Sequence, residues 1–512
     1  MPATDRIQDK VSNESHFRVD HLQTDIRRRS INGGTQTLIA QAAKVIVQMA
    51  SMALFARLLS PEDYGLFGIV MGITAFGTII RDMGLSTATI QTEVLSHSQS
   101  STIFWVTISQ SLLLALLTVA TAPLVCAFFK DDRLFSLLAV MSSSYVIWAA
   151  GSQHLALLRR QMRYTALSYI EVSSVTLGVL IGVAAAFSGA KIWSLVYAQV
   201  AIASISTIGS WIACKWRPGL PARGTGVRPM LRFGQHLTGF SLLSYLNRNL
   251  DNLLIGRWCG TSVLGLYDRA YQIHMFPAMQ VCWPVASVAI GALSRLRHEP
   301  NRFNEYSRTA VLLACAVSMP AIAYLFVKAD LVVSLLLGNQ WMDSVPLLRA
   351  LALAAFIDPI LISFNWICVA GNQTSKLFRA RVAQSILTVA AFLIGIRWGA
   401  MGVALAVSVT RLIVVIPTLL YCSKNTTFKK GELLAAPLPP AIAAAIAGVL
   451  VGIIRVGGDR TSQIIEIACS GIVFTLIYFS ILILFPRSRR TLIALLDTLK
   501  PIRPAILDEH KT

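Results

Sequence analysis

Long apolar runs separated by short polar ones set the pattern of this chain. Runs fall at 34–56, 64–82, 102–128, 134–153, 166–188, 192–214, 236–258, 269–293, 309–328, 347–370, 378–396, 400–421, 437–454 and 465–486. Each approaches the ~20 residues that a helix needs, at ~1.5 Å per residue, to cross ~30 Å of hydrocarbon. The polar stretches between them are too short for a second soluble domain. The pattern therefore predicts an all-α polytopic membrane protein of about fourteen transmembrane helices.

One break divides the series. Lys215–Arg232, KWRPGLPARGTGVRPMLR, carries Pro218, Pro221 and Pro229 among glycines and basic residues, so it reads as a cytoplasmic crossing between two bundles of six helices. The expected organisation is a tail at 1–33, a first lobe at 34–214, a linker at 215–235, a second lobe at 236–421, a loop at 422–436, a final helix pair at 437–486 and a tail at 487–512. An echo supports the division: LFARLLSPEDYGLF at 54–67 and LIGRWCGTSVLGLY at 254–267 share Leu, Arg, Gly and Leu at a constant offset of 200. Six spans per half keep the halves parallel, with a pseudo-axis along the membrane normal.

Composition agrees: 55% of residues are hydrophobic and 14% charged, with a mean hydropathy of +0.62. The net charge of +20 is explained by its placement. With both termini inside, thirty Lys and Arg fall on inward segments, eleven on outward loops, and four in or at the ends of spans. Basic residues spread over many loops suit anionic lipid headgroups and argue against a nucleic-acid partner. The 8 cysteines lack CxxC spacing and mostly lie in apolar runs, so they read as small buried side chains, with no metal site.

Polar residues inside apolar runs are where function is sought. A charge at that depth costs several kcal/mol unless it pairs or meets water. The run Gly239–Trp258 holds Asn247, Arg248, Asn249, Asp251 and Asn252, and reads either as a wall facing water or as a structural Arg–Asp pair. Lys44 and Gln48 lie in the first run, His274 and Gln280 in the eighth, Asp358 and Asn365 in the tenth, and Arg411 in the twelfth. Arg81, Asp82 and Glu466 lie near run ends and read as interfacial, Glu171 as structural, and His154 as a loop or interfacial residue. Each of these also fits a role that merely knits the bundle. Arg248, Lys44 and Arg411, flanked by long apolar stretches, favour an anionic passenger, with Asp251 and Asp358 keeping the cations hydrated or taking up a coupling ion. There is no Walker loop, no HExxH and no GxSxG, so the reading is a transporter without cofactor rather than an enzyme.

These stretches resemble the multidrug/oligosaccharidyl-lipid/polysaccharide (MOP) exporter superfamily, in its bacterial polysaccharide-biosynthesis, Wzx-type flippase branch. The likeness is carried by LFARLLSPEDYGLFGIVMGITAFGTIIRDMGLSTATIQ at 54–91, LNRNLDNLLIGRWCGTSVLGLYDRAYQI at 246–273 and GNQTSKLFRARV at 371–382, and covers roughly 30–430. It implies two six-helix lobes around a V-shaped cavity and ion-coupled alternating access, using protons or sodium. The implied passenger is an undecaprenyl-diphosphate-linked oligosaccharide crossing the bacterial inner membrane for exopolysaccharide, capsule or O-antigen synthesis. Glycosyltransferases and a polymerase of the same pathway are implied as partners of a functional monomer. The family's turn signature falls on Ser60, Pro61, Glu62, Asp63, Tyr64 and Gly65, with Gly265 at the echoed place. Its seventh-helix signature falls on Asn247, Arg248, Asp251, Gly256 and Arg257. Under this resemblance Arg248 is the preferred diphosphate or acidic-sugar contact, with Lys44, Arg411, Asn247 and Gln48 supporting, and Asp251 orients Arg248 or relays a proton. A cation-coupled drug exporter of the same superfamily, a polysaccharide polymerase or ligase, and a noncatalytic scaffold remain alternatives.

Overall fold

A computed structural model describes residues 26–82, 84–92, 95–222, 245, 249–424, 430–454, 460–486 and 488–489. Among them every regular element is helical and no strand occurs. The helices are α1 (Ile26–Leu58), α2 (Pro61–Asp82), α3 (Leu85–Gln91), α4 (His97–Phe129), α5 (Arg133–Arg160), α6 (Tyr164–Phe187), α7 (Trp193–Cys214), α8 (249–258), α9 (Thr261–Arg295), α10 (Pro300–Val327), α11 (Ala329–Leu336), α12 (Ser344–Ala370), α13 (Thr374–Gly395), α14 (Gly399–Cys422), α15 (Lys430–Ala435), α16 (Leu438–Gly452) and α17 (Arg460–Leu484). Eleven helical runs among the described residues are long and apolar enough to cross a membrane, and one of these, of 49 residues, contains both α13 and α14.

The helices exceed the apolar runs that predict them. Helix α1 begins at Ile26, inside the stretch expected as a tail, and α15 occupies part of the expected 422–436 loop. Two units form: residues 1–268 with 336–340, and residues 269–335 with 341–512. The division falls within α9, later than the linker that the sequence suggests. Gln340 belongs to the first unit because its amide donates to the carbonyls of Ala56 (2.6 Å) and Leu59 (3.1 Å).

The middle of α4 exposes large apolar side chains and buries small ones. On α4 the buried face carries Ser100, Ser101, Thr107, Ser111, Ala115 and Ala122, while Leu112, Leu113, Leu116 and Leu124 are exposed. Large apolar side chains outside and small ones inside suit helices that bury van der Waals contact and leave greasy surface to lipid. Two of the buried hydroxyls on this face are satisfied locally, as Thr107 Oγ1 donates to the Ile103 carbonyl and Ser111 Oγ to that of Thr107.

In the first unit the SPED turn is a reciprocal helix cap. The Asp63 amide donates to Ser60 Oγ (3.2 Å), and the Ser60 amide donates to Asp63 Oδ2 (3.1 Å). Pro61 takes the first helical position, where its missing N–H costs nothing, and Glu62 and Asp63 suit the positive end of the helix. Tyr64 is buried beneath the turn. Gly65 then lets the start of α9 approach closely: a Cβ there would overlap the Thr261 carbonyl, and one on Gly265 would overlap the Pro61 carbonyl. The two echoed sequence segments thus cross backbone to backbone within one unit, each contributing the glycine that the other needs.

Further along this unit, the first part of the linker is docked rather than solvated. Trp105 Nε1 donates to the Gly219 carbonyl (2.9 Å), the Gly219 amide to Ser101 Oγ (2.9 Å), and Trp216 Nε1 to His97 Nδ1 (3.1 Å). His154 lies on α5, fully buried, because the helix runs to Arg160 beyond the apolar run's end. Its ring stacks on Trp211, and Nε2 sits 3.1 Å from the Trp216 carbonyl, which fixes Nε2 as the protonated nitrogen.

The second unit packs α10 between α12 and α16, around a core including Cys315, Met319, Ile367 and Ala443. The final helix is stitched to α10 by Tyr324, whose hydroxyl donates to the Ile467 carbonyl (3.0 Å), and by Tyr478, which donates to that of Ala316 (2.8 Å).

Candidate functional site: charges within the helical bundle

Asp358 and Arg411, each singled out from sequence, meet in the second unit. Asp358 lies on α12 immediately before Pro359, whose ring removes a backbone donor and loosens the helix there. Arg411 lies on α14 and places Nε 3.2 Å from Asp358 Oδ1. The aspartate side chain is 8% exposed and the arginine 28%, so the carboxylate is sealed and the guanidinium has a free side. Arg381 on α13 is a second cation within electrostatic reach of Asp358 and donates Nη1 to Gln384 Oε1 (3.3 Å). His274 on α9, buried, is within reach of Arg411 and stands edge-on to Tyr271. A sealed carboxylate paired with a guanidinium that keeps an exposed side is an arrangement that can exchange partners with an anion.

A second buried pair in this unit was not expected. Lys328, at the end of α10, donates Nζ to Glu466 of α17 (2.7 Å) and also to the Ile454 carbonyl. Exposure is 5% and 8%, so the pair is closed on both sides. The sequence places Lys328 at the last position of the run 309–328 and Glu466 near a run end, where it reads as interfacial; the signal for burial is that apolar residues resume directly after Lys328, in ADLVVSLLLG at 329–338.

In the first unit, Lys44 on α1 pairs with Glu171 on α6. Gln48, one turn further, is exposed. Asp251 on α8 is buried and accepts hydrogen bonds from the Tyr267 hydroxyl (2.8 Å) and the Asn252 amide (2.9 Å). Its expected partner Arg248, and Asn247, lie outside the described residues. Arg160, which sequence reading counted among loop cations, is buried and donates to the carbonyls of Thr89 and Thr92 at the end of α3. Arg257 of the seventh-helix signature stands over the rings of Phe128 (5.4 Å) and Trp258 (5.8 Å). No cluster of metal-ligating side chains occurs among the described residues.

Helices long and apolar enough to cross a membrane, with charges paired between them, thus form the setting of the candidate site. Residues 54–346 match the polysaccharide biosynthesis protein family. The chain belongs to that family. It is 27% identical over 399 residues to the teichuronic acid biosynthesis protein TuaB of Bacillus subtilis, covering 73% of this chain and 82% of the relative. It is 24% identical over 391 residues to the lipopolysaccharide biosynthesis protein WzxC of Escherichia coli, covering 76% and 80%. Among solved structures, the lipid II flippase MurJ in an inward closed conformation superposes with a TM-score of 0.72 at 16% identity, covering 90% of this chain and 99% of that one.

Proposed function

We propose that the protein flips undecaprenyl-diphosphate-linked oligosaccharide units across the bacterial inner membrane by ion-coupled alternating access, supplying exopolysaccharide, capsule or O-antigen assembly. The observation that carries this reading is the Asp358–Arg411 pair: a cation held inside the bundle by a buried carboxylate, with part of its guanidinium free. Such a group attracts a diphosphate or acidic sugar, whose polar part cannot cross hydrocarbon unaided, while the prenyl tail remains in lipid. The relatives support the same direction, since TuaB and WzxC are named for the biosynthesis of cell-surface glycans and MurJ for flipping a lipid-linked precursor. In this reading residues 34–214 and 236–421 form two parallel lobes, both termini are cytoplasmic, Arg248 contacts the diphosphate, and Asp251 and Asp358 serve charge pairing or ion coupling.

Deletion followed by identification of the lipid-linked glycan left on the inner leaflet tests the substrate class, and flux in inverted vesicles tests the activity. Accumulation of a prenyl-diphosphate glycan, with flux restored by the intact chain, is the expected result. Export of cationic dyes with no flux of any prenyl-diphosphate glycan would replace this reading by the drug-exporter one. Within the site, Arg248→Ala lowers flux with membrane abundance retained; unchanged flux removes Arg248 from the mechanism.

A further inference from the structure

Helices α13 and α14 are joined by a short turn at 396–398 and run antiparallel, and a cavity of about 350 Å³ opens between them. That volume falls within the ~300–1,000 Å³ of ligand pockets. Its walls are apolar, formed by Ala383 and Leu387 of α13 and by Ile413, Val414 and Pro417 of α14. Leu387 and Ile413 are exposed, as are Ile386 and Leu412 beside them, so the slot opens on a surface of large apolar side chains. In a membrane helix pair, such a surface faces lipid.

The slot is polarised along its length. Arg379 and Tyr421 line it at the end away from the 396–398 turn, while Leu387 and Ile413 line it nearer that turn. Eight residues of helix, ~12 Å at ~1.5 Å each, separate Arg379 from Leu387. Arg379 is exposed, and no ion pair or hydrogen bond is recorded for it among the described residues; no acidic side chain lines the cavity. Gln384 and Thr418 are the uncharged polar side chains of the wall besides Tyr421. A cation and a phenol at the helix-terminal end, above a greasy channel, match an anionic headgroup carrying a hydrocarbon chain.

We infer that the α13–α14 slot binds an anionic glycerophospholipid, with one acyl chain between Leu387, Ile413 and Pro417 and its phosphate on Arg379. The site is separate from the Asp358–Arg411 pair and rests on the membrane reading alone, so it stands whatever passenger the protein carries.

The test is lipid retention by the purified full-length protein, exchanged into nanodiscs of equal dioleoyl-phosphatidylglycerol and dioleoyl-phosphatidylethanolamine and read by native mass spectrometry. The wild type retains phosphatidylglycerol about fivefold over phosphatidylethanolamine, the factor that one basic residue near a membrane surface confers. Arg379→Gln abolishes the preference and Arg379→Lys keeps it. Ala383→Phe, which fills the slot, lowers retention of both lipids. Because Ala383→Phe also crowds the helix pair, a photoreactive group on Thr418→Cys provides a second measurement: it labels phosphatidylglycerol in the wild-type background and loses that labelling with Arg379→Gln. Equal retention of the two lipids by the wild type, or a preference unchanged in Arg379→Gln, overturns the proposal. Retention of undecaprenyl phosphate in place of phosphatidylglycerol overturns it too, and reassigns the slot to a prenyl chain.

Discussion

Two ion pairs of the same unit differ in what surrounds them. Lys328 and Glu466 are 5% and 8% exposed, and the lysine is further held by a backbone carbonyl. Arg411 and Asp358 are 28% and 8% exposed, with a second guanidinium nearby. Taking charges out of water costs several kcal/mol per ion, which mutual attraction offsets only when geometry is good and the remaining valences are filled. The first pair meets that condition internally and has nothing left to offer a ligand. The second leaves part of a guanidinium exposed, where it can meet a further partner. Exposure thus separates an ion pair closed within the bundle from one whose cation keeps an exposed side.

The largest effect is expected at the closed pair. Lys328→Met strands Glu466 in the bundle and destabilises the unit by ~3–5 kcal/mol, the usual cost of breaking a buried pair from one side. Replacing both, Lys328→Met with Glu466→Leu, recovers most of that loss and leaves flux per folded molecule unchanged. Thermal unfolding in detergent with parallel flux measurements checks this. A double variant that is stable but inactive would mean that the closed pair takes part in transport.

At the open pair the order of effects reverses. Asp358→Asn and Arg411→Gln each lower flux about tenfold, equivalent to ~1.4 kcal/mol and close to one charge-assisted hydrogen bond, while membrane abundance is retained. Exchanging the two residues keeps the pair and recovers part of the activity. Loss of abundance without loss of specific flux would place Asp358–Arg411 in the same structural class as Lys328–Glu466.

These two pairs also mark the reach of sequence reading. Asp358 and Arg411 were legible one by one, because each interrupts a long apolar run, but nothing in a linear pattern shows that positions 53 residues apart face each other. Lys328 and Glu466 were not legible as buried, since each stands near the end of a run, where a charge ordinarily reaches water. His154 was misjudged for the same reason: α5 continues to Arg160, past the point where hydropathy falls. The SPED turn was named only through the family resemblance, and the reciprocal cap between Ser60 and Asp63 that explains it came from the structure. The Gly65–Gly265 crossing was visible only as a shared letter, and its reason, two backbones in close approach, needs three dimensions.

The third pair sharpens the comparison from the other unit. Glu171 is 54% exposed and Lys44 22%, so water already solvates much of the carboxylate. Pairs of this kind contribute ~0.2–1 kcal/mol. Lys44→Gln is expected to change flux by about twofold, and Glu171→Gln by no more, in the same vesicle assay. A tenfold loss on Lys44→Gln, with Glu171→Gln silent, would show that Lys44 acts on the passenger rather than on its neighbour.

The smallest effect is expected where the charges stand in a turn and at the ends of helices. Asp131, in the turn before α5, accepts from Arg133 (2.7 Å), and that hydrogen bond holds its carboxyl below the usual range. Arg133 also reaches Glu62 of the SPED turn, but its side chain is 54% exposed, so solvent screens both contacts. A carboxylate whose folded pKa is depressed stabilises the fold above its unfolded value of about 4, and that contribution is lost as pH falls through the lower, folded value. Arg133→Gln is therefore expected to lower the unfolding temperature slightly at pH 7, by the equivalent of under ~1 kcal/mol, and to have less effect in acid, once Asp131 is protonated. Unfolding temperatures in detergent for wild type and variant at the two pH values check this. If Arg133→Gln destabilises the protein as much as Lys328→Met does, exposure does not rank these ion pairs, and the distinction drawn between Lys328–Glu466 and Asp358–Arg411 loses its physical basis.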